Sequence, residues 1–156
     1  MKNIRKYWTL CIPIILFVLT CFIWYEVYVG RQHDLRFAML DIGQGDALYI
    51  EGPNGKQVII DGGPGDALLS QLSKVMPLFD RSIDLIVNTN PDKDHFEGFI
   101  PLLDRYSVGA FVESGTNADS NPLWRELKKK IVAQNIPDIL ARKGQRIDLG
   151  DDVYID

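Results

Sequence analysis

The chain has 156 residues with 17 Lys/Arg against 21 Asp/Glu, a formal net charge of −4, and that length allows about one domain. Setting aside Lys2, Arg5, Lys6 and Glu26, which precede Gly30, leaves a net −6, so the bulk of the protein has no global attraction for nucleic acid. Both cysteines, Cys11 and Cys21, fall in one apolar stretch; about 15 Å apart on a helix, they are too distant for a disulfide, and the remainder has no thiolate for zinc.

Tyr7 to Tyr25 contains no charged residue. As a helix it rises about 28 Å, close to the hydrocarbon thickness of a bilayer. Tyr7 and Trp8 at one end, with Trp24, Tyr25 and Tyr28 at the other, suit the two interfacial belts. Lys2, Arg5 and Lys6 precede the run and Arg31 and Arg36 follow it. That bias predicts a single-pass anchor at 7–29 with residues 1–6 inside and the following domain extracytoplasmic. A cleaved signal peptide is the competing reading, but the run is long and no small-residue cleavage site follows it. Pro13 is compatible with a membrane helix.

Residues 30–34 read as a linker containing His33, for which solvent exposure is the default. Leu35 to Ile42 reads as a strand apolar on both faces, hence covered on both. Gly43-Gln44-Gly45-Asp46 is a turn, Ala47 to Glu51 a strand, Gly52-Pro53-Asn54-Gly55 a hairpin signal and Lys56 to Asp61 the returning strand. Asp66 is placed to cap a helix to about Phe79, with Leu68, Leu72, Val75, Met76 and Phe79 on one face. A strand over Asp84 to Thr89 follows, then a helix with Pro101 in its first turn and ending near Tyr106. Val108 to Glu113 reads as a strand, Ser114 to Asn121 as a polar loop, and Pro122 opens a helix with Leu123, Leu127 and Ile131 inward. Short strands fill Asp138 to Asp156. The sum is a mixed α/β sheet with helices on one face and an apolar second face that needs cover. Arg125 with Lys128-Lys129-Lys130 is the one basic cluster, and a solvated helix face accounts for it.

The chemistry concentrates in Asn88-Thr89-Asn90-Pro91-Asp92-Lys93-Asp94-His95-Phe96-Glu97-Gly98, at the end of a strand. An amide, two carboxylates and an imidazole on a rigid strand end can hold a metal ion. Asn90, Asp92 and Asp94 match the first spacings of a calcium loop, but the sixth position is His95 rather than Gly and the twelfth Pro101 rather than Glu. From these residues alone, metal binding and capping of the next helix both stand open.

Three ordered motifs, Met39-Leu40-Asp41-Ile42-Gly43-Gln44-Gly45-Asp46-Ala47, Ile60-Asp61-Gly62-Gly63 and Thr89 to Gly98, resemble the metallo-β-lactamase-fold domain of ComEC-type competence proteins. The resemblance covers 35–156. It implies the N-terminal half of an αββα sandwich and metal-dependent hydrolysis with zinc or manganese, of DNA phosphodiesters during uptake. By position, Asp92 corresponds to a first-metal ligand, and Asp94 and His95 to second-metal ligands, with Asp94 also orienting the attacking water. Asn90 stands where the family has a histidine, and an amide is a poor zinc ligand. Asp41, Asp46 and Asp61 are implied as supports of the loop, though Asp41 and Asp46 read equally as turn carboxylates. The family's later ligands have no counterpart here, which points to a catalytically incompetent remnant, or to an anchored domain completed by a partner chain.

Overall fold

The computed structural model describes residues 2–30 and 34–156, with side chains undescribed at 2–10 and 26–30. The chain forms two units, Met1–His33 and Asp34–Asp156. In the first, a single helix α1 (Lys2–Gly30) carries Pro13 in its interior. Thr20 Oγ1 donates to the Leu16 carbonyl at 2.8 Å. Every described side chain of this helix is exposed. Among the described residues, no helix is long and apolar enough to cross a membrane. The expected span starts at Tyr7, and its stretch to Leu10 falls outside the described side chains, as do Lys2, Arg5, Lys6 and Tyr28. Arg31 and His33 lie outside the described residues altogether.

The second unit is built on a six-stranded sheet in the order β1 (Arg36–Met39), β2 (Leu48–Glu51), β3 (Gln57–Ile60), β4 (Ser82–Asn88), β5 (Ser107–Glu113), β6 (Asp138–Leu140). The first three strands form an antiparallel meander; β3 to β6 are parallel. The Gly52–Gly55 turn closes as expected, Gly55 N donating to Gly52 O at 2.8 Å. Parallel neighbours require crossovers, and helices α2 (Ala67–Val75), α3 (Lys93–Phe96), α4 (Phe99–Leu102) and α5 (Pro122–Ala133) supply them. Their apolar stripes meet one sheet face in a core that includes Leu68, Leu72, Ile86, Phe96, Phe99, Phe111, Leu127 and Ile131.

The opposite face carries a smaller core. The two-stranded sheet of β7 (Ile147–Gly150) and β8 (Val153–Ile155) lays Leu149 against Ile50 and Val58. This hairpin begins the second layer that the apolar face requires. It stops short of β1, whose Phe37 and Met39 are 63 % and 78 % exposed. The expectation that β1 is covered on both sides is therefore corrected: it is an edge strand, buried on one side through Leu40 and Ile42 just beyond it.

Three further expectations shift. α2 ends at Val75 rather than Phe79, because Pro77 disfavours helical backbone at Met76, which is extended with ψ 151°. Phe79 consequently leaves the apolar face. Asp66 does not cap α2: its ψ of 5° lies outside the extended region that an N-cap side chain needs, and it makes no cap hydrogen bond. The helix expected to open at Pro101 and end near Tyr106 is instead the single turn α4, which starts earlier, at Phe99, and ends at Leu102. At α5, Asn121 supplies the cap through Leu123 N at 3.0 Å, and Trp124 joins Leu127 and Ile131 in the core while Leu123 is only partly buried.

Candidate metal-ligand loop

The C-terminal ends of β1, β3 and β4 converge at one end of the sheet, and the three motifs sit there. Asp61 follows β3, is 4 % exposed and holds φ 58°. That left-handed backbone is costly for a residue with a Cβ and persists only where its surroundings enforce it. Its hydrogen bonds do so. Oδ1 accepts from Thr89 N at 2.8 Å; Oδ2 accepts from Thr89 Oγ1 at 2.6 Å and lies 2.9 Å from His95 Nδ1. Asp61 N in turn donates to Val87 O at 2.8 Å. One carboxylate thus ties β3 to both ends of the loop after β4.

Backbone contacts complete the clamp. Gly62 N donates to His95 O at 2.6 Å and Gly98 N to Gly63 O at 2.8 Å. A Cβ at Gly98 would fall 2.0 Å from Gly62 O, and one at Gly45 would fall 2.1 Å from Asp94 O. Gly45 and Gly98 are thus spaces for another segment's backbone, whereas a Cβ at Gly63 would meet the Ile42 side chain at 2.1 Å. Phe96 anchors the loop from below, fully buried and edge-on to Trp124 at 5.1 Å.

With Nδ1 facing Asp61, His95 keeps Nε2 for another partner. This is the arrangement in which a carboxylate orients a metal-binding imidazole. The hydrogen bond that His95 donates to Asp61 raises the His95 pKa against the opposing effect of burial, and the charges of Asp61, Asp94 and Asp46 add to the rise. Asp94, Asp41 and Asp46 are exposed, and their carboxylates have no hydrogen-bond partner among the described residues. For Asp41 and Asp46, the amide-binding role of a turn carboxylate is absent.

Asp92 and Asn90 behave differently. Asp92 occupies the position before α3 but makes no side-chain cap bond; its Oδ2 accepts from Asn90 Nδ2 at 2.8 Å. Capping therefore does not explain the cluster. Nor do these donors fit zinc or manganese as a whole set. Among the described residues, no three His, Cys, Asp or Glu gather closely enough to hold a metal ion. Asp94 and His95 are the part with suitable donors, whereas the Asn90 amide brings a hydrogen-bond donor to the Asp92 carboxylate. The sequence implies Asp61 as a support but not Thr89, for which a hydroxyl-bearing side chain just past a strand end is the available signal.

No family profile and no curated protein matches the chain. Solved structures do. A peroxy diiron species of the chemotaxis sensor ODP aligns with TM-score 0.54 and 22 % identity over 78 % of this chain and 47 % of that one. The Rm3 metallo-β-lactamase aligns with TM-score 0.53 and 18 % identity over 79 % and 48 %. The fold is metallo-β-lactamase-like. This chain spans about half the length of either structure.

Proposed function

We propose that this protein is a membrane-anchored domain of ComEC type, built on the metallo-β-lactamase fold, that retains the Asp94–His95 part of a hydrolase site and does not hydrolyse on its own. The observation that carries this reading is the Asn90 amide bound to Asp92 at 2.8 Å. An amide N–H at a carboxylate oxygen takes up one of its lone-pair sites and so competes with a cation for that carboxylate. The anchor rests on the uncharged run from Tyr7 to Tyr25 behind Lys2, Arg5 and Lys6. It implies an N-terminus inside and the domain outside.

A second reading, favoured by the Asp61–His95 contact, is an active zinc- or manganese-dependent hydrolase. Its remaining donors would come from outside these residues, for instance a partner chain, and DNA phosphodiesters would be the substrate by resemblance alone. The full chain in detergent micelles separates the two. After equilibration with zinc or manganese and dialysis, elemental analysis is expected to find substoichiometric metal, and bis(p-nitrophenyl) phosphate to remain uncleaved. Stoichiometric metal with turnover that Asp94→Asn abolishes would establish the second reading. Asn90→His is expected to tighten metal binding slightly without producing activity; phosphodiesterase activity in that single variant contradicts the proposal.

A further inference from the structure

The six-stranded sheet ends in β1 on one side and β6 on the other, and the two edges are built differently. β6 is three residues long, Pro137 precedes it, and its Asp138 is ion-paired with Lys128. Shortness, a proline and a charge are devices that keep an edge from pairing with another chain. β1 lacks them: its one charged residue, Arg36, is engaged by Glu51 of β2 at 2.9 Å. Just beyond β1, Leu40 N donates to Ala47 O at 2.9 Å. Backbone groups alternate in direction along a strand, so Arg36 and Ala38 also address β2, whereas the N–H and C=O of Phe37 and Met39 point away from it. Side chains alternate in step. Ala38 packs on the helix-side core, while Phe37 and Met39 project from the other face, 63 % and 78 % exposed. The same two residues thus carry the edge's outward backbone groups and its exposed apolar row.

This edge is complementary to itself. The ladder with β2 runs from Arg36 to Leu40, and Ala38 is its midpoint. A two-fold axis through Ala38, perpendicular to the sheet, sets Phe37 opposite Met39 of a second copy and Met39 opposite its Phe37. Positions two apart share a face, so the apolar side chains meet, and their outward N–H and C=O groups fall into hydrogen-bonded pairs. Thioether against aromatic ring is a favourable contact. The small Ala38 meets itself at the closer, non-hydrogen-bonded position. We propose that two copies of this chain pair along β1, antiparallel, continuing the sheet across a two-fold axis at Ala38. The contact is smaller than the roughly 800 Å² per partner of a standard stable interface, so the dimer is a concentration-dependent one.

The test uses the full chain in detergent micelles. With Cys11→Ser, Cys21→Ser and Ala38→Cys, the axis sets position 38 against itself with Cα atoms about 4.5 Å apart, within disulfide range. Mild oxidation with copper phenanthroline is expected to give mostly covalent dimer. The same background carrying Ile139→Cys, on the β6 edge, is expected to stay monomeric. Sedimentation of chains that keep Ala38 reads the register. Phe37→Lys with Met39→Lys sets like charges opposite each other and should weaken dimerisation about tenfold. Phe37→Lys with Met39→Glu sets unlike charges opposite and should recover most of that loss. A non-specific charge effect has the other sign, because added lysines relieve the net charge of −4. Monomer at every concentration overturns the proposal. So does a folded Ala38→Cys chain that crosslinks no faster than Ile139→Cys, or a dimer that the two lysines leave unweakened, since its contact lies on another surface. A Lys/Glu variant as weak as the Lys/Lys one overturns the axis at Ala38.

Discussion

Two carboxylates organise the two ends of this sheet, and they do so differently. Asp80 secures its end mostly from nearby: two of its three hydrogen bonds come from Ser82, two residues on, and one from Gln57. Asp61 works at a distance, holding Thr89 and His95, 28 and 34 residues away, from a left-handed backbone. An acid whose partners are local shapes a turn. One whose partners are remote positions a site, and its loss unties segments far apart in the chain as well as removing the bonds themselves.

The largest test of this contrast is Asp61→Ala, expected to lower stability by about 3 kcal/mol in urea titration, since Thr89 N, Thr89 Oγ1 and His95 all lose their acceptor. Asp61→Gly sharpens it: glycine is at ease at φ 58°, so it should recover about 1 kcal/mol of that loss without restoring the loop. A loss for Asp61→Ala no larger than for Asp80→Ala would break the comparison. Next comes Leu149→Ala, expected to cost about 2–3 kcal/mol and to loosen β7–β8 from Ile50 and Val58, measured by amide exchange.

The Asp80 arm is read by pH. Burial raises the Asp80 pKa, but hydrogen bonds from Ser82 and Gln57 and the charge of Arg81 outweigh it, so the net shift is downward. A folded pKa below the unfolded value of about 3.9 gives stability that is present above that pH and lost as pH falls through the folded pKa. Asp80→Asn should therefore flatten the acid limb of the unfolding curve below about pH 4. An unchanged acid limb would show that Asp80 is not the group responsible. The smallest effect belongs to Phe79→Ser. At 91 % exposure it should change the stability of the detergent-solubilised chain by less than about 0.5 kcal/mol.

The same division explains what the sequence made legible. Strand positions, the Gly52–Gly55 turn and the mixed sheet follow from local patterns, and the observed elements match them within a few residues. The placement of Phe79 was also in the sequence, since Pro77 forbids the helix that would have buried it. The exposure of Phe37 and Met39 was not, because it depends on how far the β7–β8 hairpin reaches across the sheet. The Asp61 network was half readable. Asp-Gly-Gly announced a special backbone, but Thr89 as its partner depends on β3 lying beside β4. The Asn90–Asp92 bond required side-chain geometry that spacing alone does not give.

The topology also sets an order of events. The β1–β2–β3 meander closes short loops, whereas pairing β3 with β4 must first close the longer crossover through α2, and long closures come late because their entropy is spent before contacts return it. Asp61 belongs to the meander and His95 to the segment after β4, so their contact forms only after that parallel pairing. The loop is thus expected to form late in folding. Replacing Asp61 should accelerate unfolding while leaving the refolding rate nearly untouched.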